Sequence, residues 1–162
     1  MKIVMDSDCL VKLTKAGAKE VVVSAIEVHI PVLVKKETVD QVRERNYRDT
    51  AVIEENISKK ALHVVKHQGK NPIIVPAAKG EAEVISLYLE GGYDAVASDD
   101  KKFLKKLTAA NIPYLTPSAC LILLFNTGDL RKEKALELLN NMKPLIGKDE
   151  YAITRYYLEG KP

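Results

Sequence analysis

The sequence predicts an α/β protein: three α/β/α layers around a central parallel sheet of four to five strands. Three observations carry that expectation. Short β-branched apolar runs alternate with segments that are apolar at every third or fourth position. Two of the runs stop at a pair of acids where a helix begins. No repeat and no Pro/Gly-rich linker divides the 162 residues, so one domain over 1–162 is expected, with 131–162 as a helical C-terminal extension.

A chain of this length buries roughly two-thirds of its extended surface, so it needs neither a disulfide nor a metal in order to fold. Any metal would serve function. Hydrophobic residues at 46% and charged residues at 29% exclude a disordered or membrane-embedded chain. The longest apolar run, Ala119 to Phe125, is too short to span a bilayer, and Asp6 interrupts the opening where a signal peptide needs its apolar core. A cytoplasmic protein without a membrane partner is expected. Cys9 and Cys120 read as free core thiols. A net charge of +3 with pI near 8.7 is compatible with a nucleic-acid partner without demanding one.

Taken in order, Ile3, Val4 and Met5 form a buried strand, and Asp6, Ser7 and Asp8 stand at its junction with a short helix through Leu10 and Leu13. The second strand is either Val21–Ile26 or Glu27–Ile30. Pro31 then opens a long helix with Val32, Val39 and Val42 on one stripe and Glu37, Asp40, Gln41 and Glu44 on another. A helix over Asp49–Lys60 leads to the short strand LHVVK, and the segment Asn71–Ala78 reads as a loop. Gly80 precedes a helix closed by Gly91 and Gly92, with Glu81 and Glu83 in its first turn, where the helix dipole favours carboxylates. Tyr93–Ala97 is a strand ending in Ser98, Asp99 and Asp100, followed by the helix KKFLKKLTAA, which repeats the opening arrangement. Ile112–Leu115, Pro117–Phe125, Leu130–Met142 and Asp149–Leu158 supply one more strand and three more helices. The tyrosines of the last helix suit packing better than base stacking.

In a parallel sheet, strands that end in acids point them to the same edge, in the crevice beyond the strand C-termini. Several carboxylates in one crevice repel one another, and a divalent cation resolves the conflict. An all-oxygen donor set with no paired Cys/His spacing suits Mg²⁺ or Mn²⁺ and argues against zinc. Lys101, Lys102, Lys105 and Lys106 flank the second acidic junction, where they can attract phosphates or simply form a solvated face.

The stretches IVMDSDCLVKL, IPVLVKKET, GEAEVISLYLEGG, AVASDDKKF and IPYLTPSACLILLFNTGDL, in that order, resemble PIN-domain nucleases, the family that includes the VapC toxins. The resemblance runs from Lys2 to about Leu130. It implies a parallel sheet flanked by helices and metal-dependent cleavage of RNA. It also implies metal-centred roles for Asp6, Glu37, Glu81 and Asp100, with Asp99 able to replace Asp100 and Asp40 able to replace Glu37. Asp6, Glu81 and Asp100 or Asp99 would be catalytic, supported by Ser7, Asp8 and Ser98, with Lys101, Lys102 and Lys105 on RNA. A Mg²⁺ or Mn²⁺ cofactor, an RNA substrate, a small antitoxin protein and a second copy of the chain are the expected partners. Two rival readings compete with this one. The stretch DSDCL also resembles the nucleophile strand of haloacid-dehalogenase phosphatases, with Asp6 as nucleophile and Asp8 as acid/base, but that scheme leaves the GEAE helix without a task. A fold that binds RNA or protein without cutting it is the other.

Overall fold

The structure is a computed structural model that describes residues 1–40, 48–68 and 79–160. Five strands, β1 (Lys2–Met5), β2 (Glu27–Pro31), β3 (Leu62–Val65), β4 (Ala95–Ala97) and β5 (Tyr114–Leu115), form one parallel sheet in the order β3-β2-β1-β4-β5. The chain builds outward from β1 to β3, then returns to the other side of β1 for β4 and β5. The order therefore reverses between β1 and β4, the place where an open parallel sheet leaves a crevice for ligands.

Between the strands lie α1 (Ser7–Lys15), α2 (Lys19–Ala25), α3 (Val32–Lys35), α4 (Arg48–Ser58), α5 (Lys79–Leu89) and α6 (Lys101–Ala109); α7 (Pro117–Thr127), α8 (Lys132–Met142) and α9 (Lys148–Gly160) follow β5. Strand β1 is central because it is apolar on both faces: Ile3, Val4 and Met5 are all fully buried. Helix α5 packs across β1, β2 and β4, while α7 packs with α1, α2, α8 and α9. Ala135, Leu138, Leu139 and Met142 of α8 and Leu158 of α9 enter the same apolar core as β1. Among the described residues no helix is long and apolar enough to cross a membrane.

Two local readings change. The β-branched run Val21–Val23 lies in α2, and the second strand is Glu27–Pro31. Val22 is buried while Glu20 and Ser24 are not, a helical rather than alternating pattern. The long helix expected after Pro31 is instead the four residues of α3 running into a π-helical turn over Lys36–Asp40. Val34 of α3 and Thr38 and Val39 of the turn are buried, with the Thr38 hydroxyl donating to the Val34 carbonyl at 2.8 Å. The extra residue per turn breaks the stripe expected through Val32 and Val39. Gln41, Val42 and Glu44, and the loop Asn71–Ala78, lie outside the described residues.

Candidate metal centre and active cleft

Asp6 is the first residue past β1. Its backbone N–H still donates to Ala97 of β4 at 3.0 Å, and its side chain caps α1 by accepting from the Cys9 N–H at 2.8 Å. Set between two central strands, the carboxyl is pushed up to about 6. Burial is the largest cause; hydrogen bonds from Ser98 and Cys9 oppose it, and the charges of Asp8 and Asp100 add to it.

The second junction uses the same device one step removed. The Ser98 N–H donates to Leu115 at 3.0 Å, the ladder position that Asp6 holds on β1. Asp100 comes two residues later and caps α6, its Oδ1 accepting from Lys102 at 2.8 Å and Phe103 at 2.9 Å. Both capping bonds land on Oδ1, so Oδ2 takes no part in them. The fully buried Ser98 hydroxyl joins the junctions, accepting from the Asp100 N–H at 3.2 Å and hydrogen-bonding to the Asp6 carboxyl.

Two further acids come from the other side of the crevice. Glu37 sits in the π-helical turn and accepts a hydrogen bond from the Ser7 hydroxyl. It also lies against Gly80, where a Cβ would stand 3.4 Å from Glu37 Oε1. A side chain at position 80 would start in van der Waals contact with that carboxylate. Glu81 in the first turn of α5 lines the same cleft, and two residues on, the Glu83 carboxylate accepts from the Leu33 N–H at 3.2 Å. Pro31, at the head of α3, offers no side-chain cap, so α5 supplies it from outside. Asp6, Ser7, Asp8, Glu37, Glu81 and Asp100 thereby line one cleft of about 230 Å³.

Asp99 faces elsewhere. Lys12 bridges it to Asp8, the Asp8 contact being 2.8 Å. Burial pushes the Asp99 carboxyl up to about 6; Lys12 opposes the shift, and Glu150 of α9, close enough to hydrogen-bond, strengthens it. Glu150 is itself held by the Ser118 hydroxyl at 2.6 Å, and Ser118 accepts from Thr154 at 3.0 Å. The side chain of Asp40 lies outside the described residues. A larger hollow of about 580 Å³ opens beside Val65, Glu90 and Tyr93, but Glu90 is its one carboxylate among the described residues.

A family model described as PIN domain matches residues 2–147. The chain belongs to the PIN-domain family. That match runs past Leu130 and takes in α8. Among solved structures, the PIN-domain fold is shared with a PilT N-terminus domain protein from the hyperthermophilic archaeon Sulfolobus solfataricus P2, at 14% identity and a TM-score of 0.50. The alignment covers 81% of this chain and 95% of that one. No curated protein matches the chain. PIN domains are generally nucleases and generally use divalent metal ions.

The donor set of this PIN domain fits such an ion in kind: carboxylates and a hydroxyl, all hard oxygens, with one carboxyl raised by burial and by like charges. Among the described residues no three His, Cys, Asp or Glu side chains already form a closed cage. Two of the donors have local partners instead, Glu37 with Ser7 and Glu81 with Lys106 at 2.7 Å. Lys101, Lys102 and Lys105 are exposed on α6. Sequence reasoning missed the individual tasks of Lys12, Glu83, Lys106 and Glu150. Only the i, i+4 spacing of Asp8 and Lys12 was a usable signal.

Proposed function

We propose that this PIN domain is an endoribonuclease that requires Mg²⁺ or Mn²⁺. The observation that supports the reading is the convergence of Asp6, Glu37, Glu81 and Asp100, four acids from four separate segments, on one cleft at the reversal point of the sheet. Asp6, Glu37, Glu81 and Asp100 would hold the ion. A divalent cation bound there supplies Lewis-acid chemistry, lowering the pKa of water and offsetting charge on a phosphodiester. The chain's own contribution is placement. The two helix caps fix Asp6 and Asp100, Ser98 links them, Ser7 holds Glu37, and Glu83 ties the start of α3 to α5. Lys101, Lys102 and Lys105 present positive charge beside the cleft for the RNA backbone.

The phosphatase reading needs Asp8 as acid/base, and Asp8 is paired with Lys12; that reading also leaves Gly80 and Glu81 without a task, although both line the cleft. The test is cleavage of a labelled single-stranded RNA pool with Mn²⁺ by the wild type and by Asp6→Asn. Loss of cleavage in the variant, with its fold retained by circular dichroism, supports the reading. Equal cleavage by both overturns it, and RNA binding without cleavage by the wild type favours a binding module. A toxin role, a small inhibitory protein and a second copy of the chain extend the same proposal. Growth arrest on expression, co-purification with the neighbouring gene product and light scattering test them in turn. A cytoplasmic location also belongs to the proposal, to be checked by fractionation.

A further inference from the structure

The four lysines of α6 are alike in sequence and unlike in place. Lys101, Lys102 and Lys105 are exposed. Lys106 is half-buried, next to the buried Leu107 and three residues on from the buried Phe103, and its ammonium turns to α5. It meets Glu81 Oε2 at 2.7 Å, with the two side chains 32% and 20% exposed. Glu81 is one of the four acids proposed to hold the metal, so one of those oxygens already carries a protein cation.

A crevice that gathers this many carboxylates favours a counter-cation over their mutual repulsion. We propose that Lys106 is the resident counter-cation of the cleft. It pairs with Glu81 while no metal is bound, gives up that oxygen when the metal enters, and then pairs with a phosphate of the incoming RNA. The inference rests on the metal-site reading above and adds an order of events to it. An ammonium and a divalent cation compete for the same carboxylate oxygen, and uptake of the second frees the first. The released ammonium stands at the edge of a site that has just become less negative and is about to receive a polyanion. Lys101, Lys102 and Lys105 have no such dependence, since none is paired with a cleft carboxylate among the described contacts.

The probe is Mn²⁺ alone, titrated calorimetrically into the full chain as wild type, Lys106→Gln and Lys105→Gln. Removing a competing cation should tighten Mn²⁺ binding about fivefold in Lys106→Gln, the scale of one partly exposed ion pair. Lys105→Gln reports what loss of a nearby positive charge does through space and should change affinity less than twofold by the same scale. At saturating Mn²⁺ and moderate salt, Lys106→Gln should raise the KM for RNA while leaving kcat within about twofold, and Lys106→Arg should restore the KM. A wild type that takes up no Mn²⁺ overturns the metal-site reading and this one with it. A wild type that binds Mn²⁺, with Lys106→Gln binding no more tightly or shifting no further than Lys105→Gln, overturns this inference alone. An unchanged KM in Lys106→Gln removes the phosphate contact.

Discussion

The junction after β1 and the junction after β4 look interchangeable as sequence: a short apolar strand, small or acidic residues, then a helix capped by an aspartate. In three dimensions they differ. Asp6 leaves β1 at the ladder position that Ser98 holds on β4, so the first junction places a carboxyl where the second places a hydroxyl. Asp100 stands two residues further out, at the exposed head of α6, while Asp6 is enclosed between two central strands with its carboxyl pushed up to about 6. The same capping chemistry thus yields one strongly desolvated acid and one largely solvated acid. The difference teaches that local sequence makes the cap, and the position of the strand in the sheet decides what the cap feels.

The largest effect should come from the more desolvated partner. Asp6→Asn should lower RNA cleavage on the order of 10²–10³-fold, the scale of losing one preorganised charge in an active site, with single-turnover assays as the readout. Asp100→Asn keeps the cap and should fall in the same range. If either loss is under tenfold, the two junctions do not act as one site.

The stability of the metal-free protein sharpens the contrast further. A carboxyl whose folded pKa lies above its unfolded value favours folding at low pH and loses that contribution as pH rises through about 6. Asp6→Asn should therefore raise Tm at pH 8 and leave it nearly unchanged at pH 4, in thermal melts with chelator present. Asp100→Ala loses both capping bonds and should cost about 1 kcal/mol, or roughly 2–4 °C in Tm.

Ser98→Ala removes the hydroxyl that links the junctions and should cost about 1 kcal/mol in urea melts, since the Asp100 N–H and the Asp6 carboxyl both lose its bond. The smallest effect on cleavage should be that of Asp99→Asn, under about tenfold, because Lys12 and Glu150 hold that carboxyl away from the cleft. A loss as large as that of Asp100→Asn would place Asp99 in the site after all.

Much of this architecture is legible in the residues. Ile3–Met5 reads as a buried strand because it is short, β-branched and unbroken by polar residues. The strand-to-helix junctions read as caps because an acid precedes each helix. The resemblance in GEAEVISLYLEGG and AVASDDKKF marked the acids that line the cleft. The run Val21–Val23 was ambiguous because β-branched residues tolerate a helix when one face meets the core, as Val22 does. The π-helical turn was illegible, since nothing local distinguishes Thr38 as a buried residue; packing beside α4 does. The sharing of charge among Lys12, Lys106 and Glu150 was equally hidden, because their partners lie 25 to 87 positions away or come from α9.

By itself, then, the sequence determined the alternation of strands and helices, the caps and the chemical kind of the donors, all of which depend on neighbours within a turn or two. Tertiary structure alone decided which acids share a cleft, which carboxyl is desolvated and which lysine turns inward. Burial and charge pairing act through space, and the distance that sets them is measured across the sheet rather than along the chain.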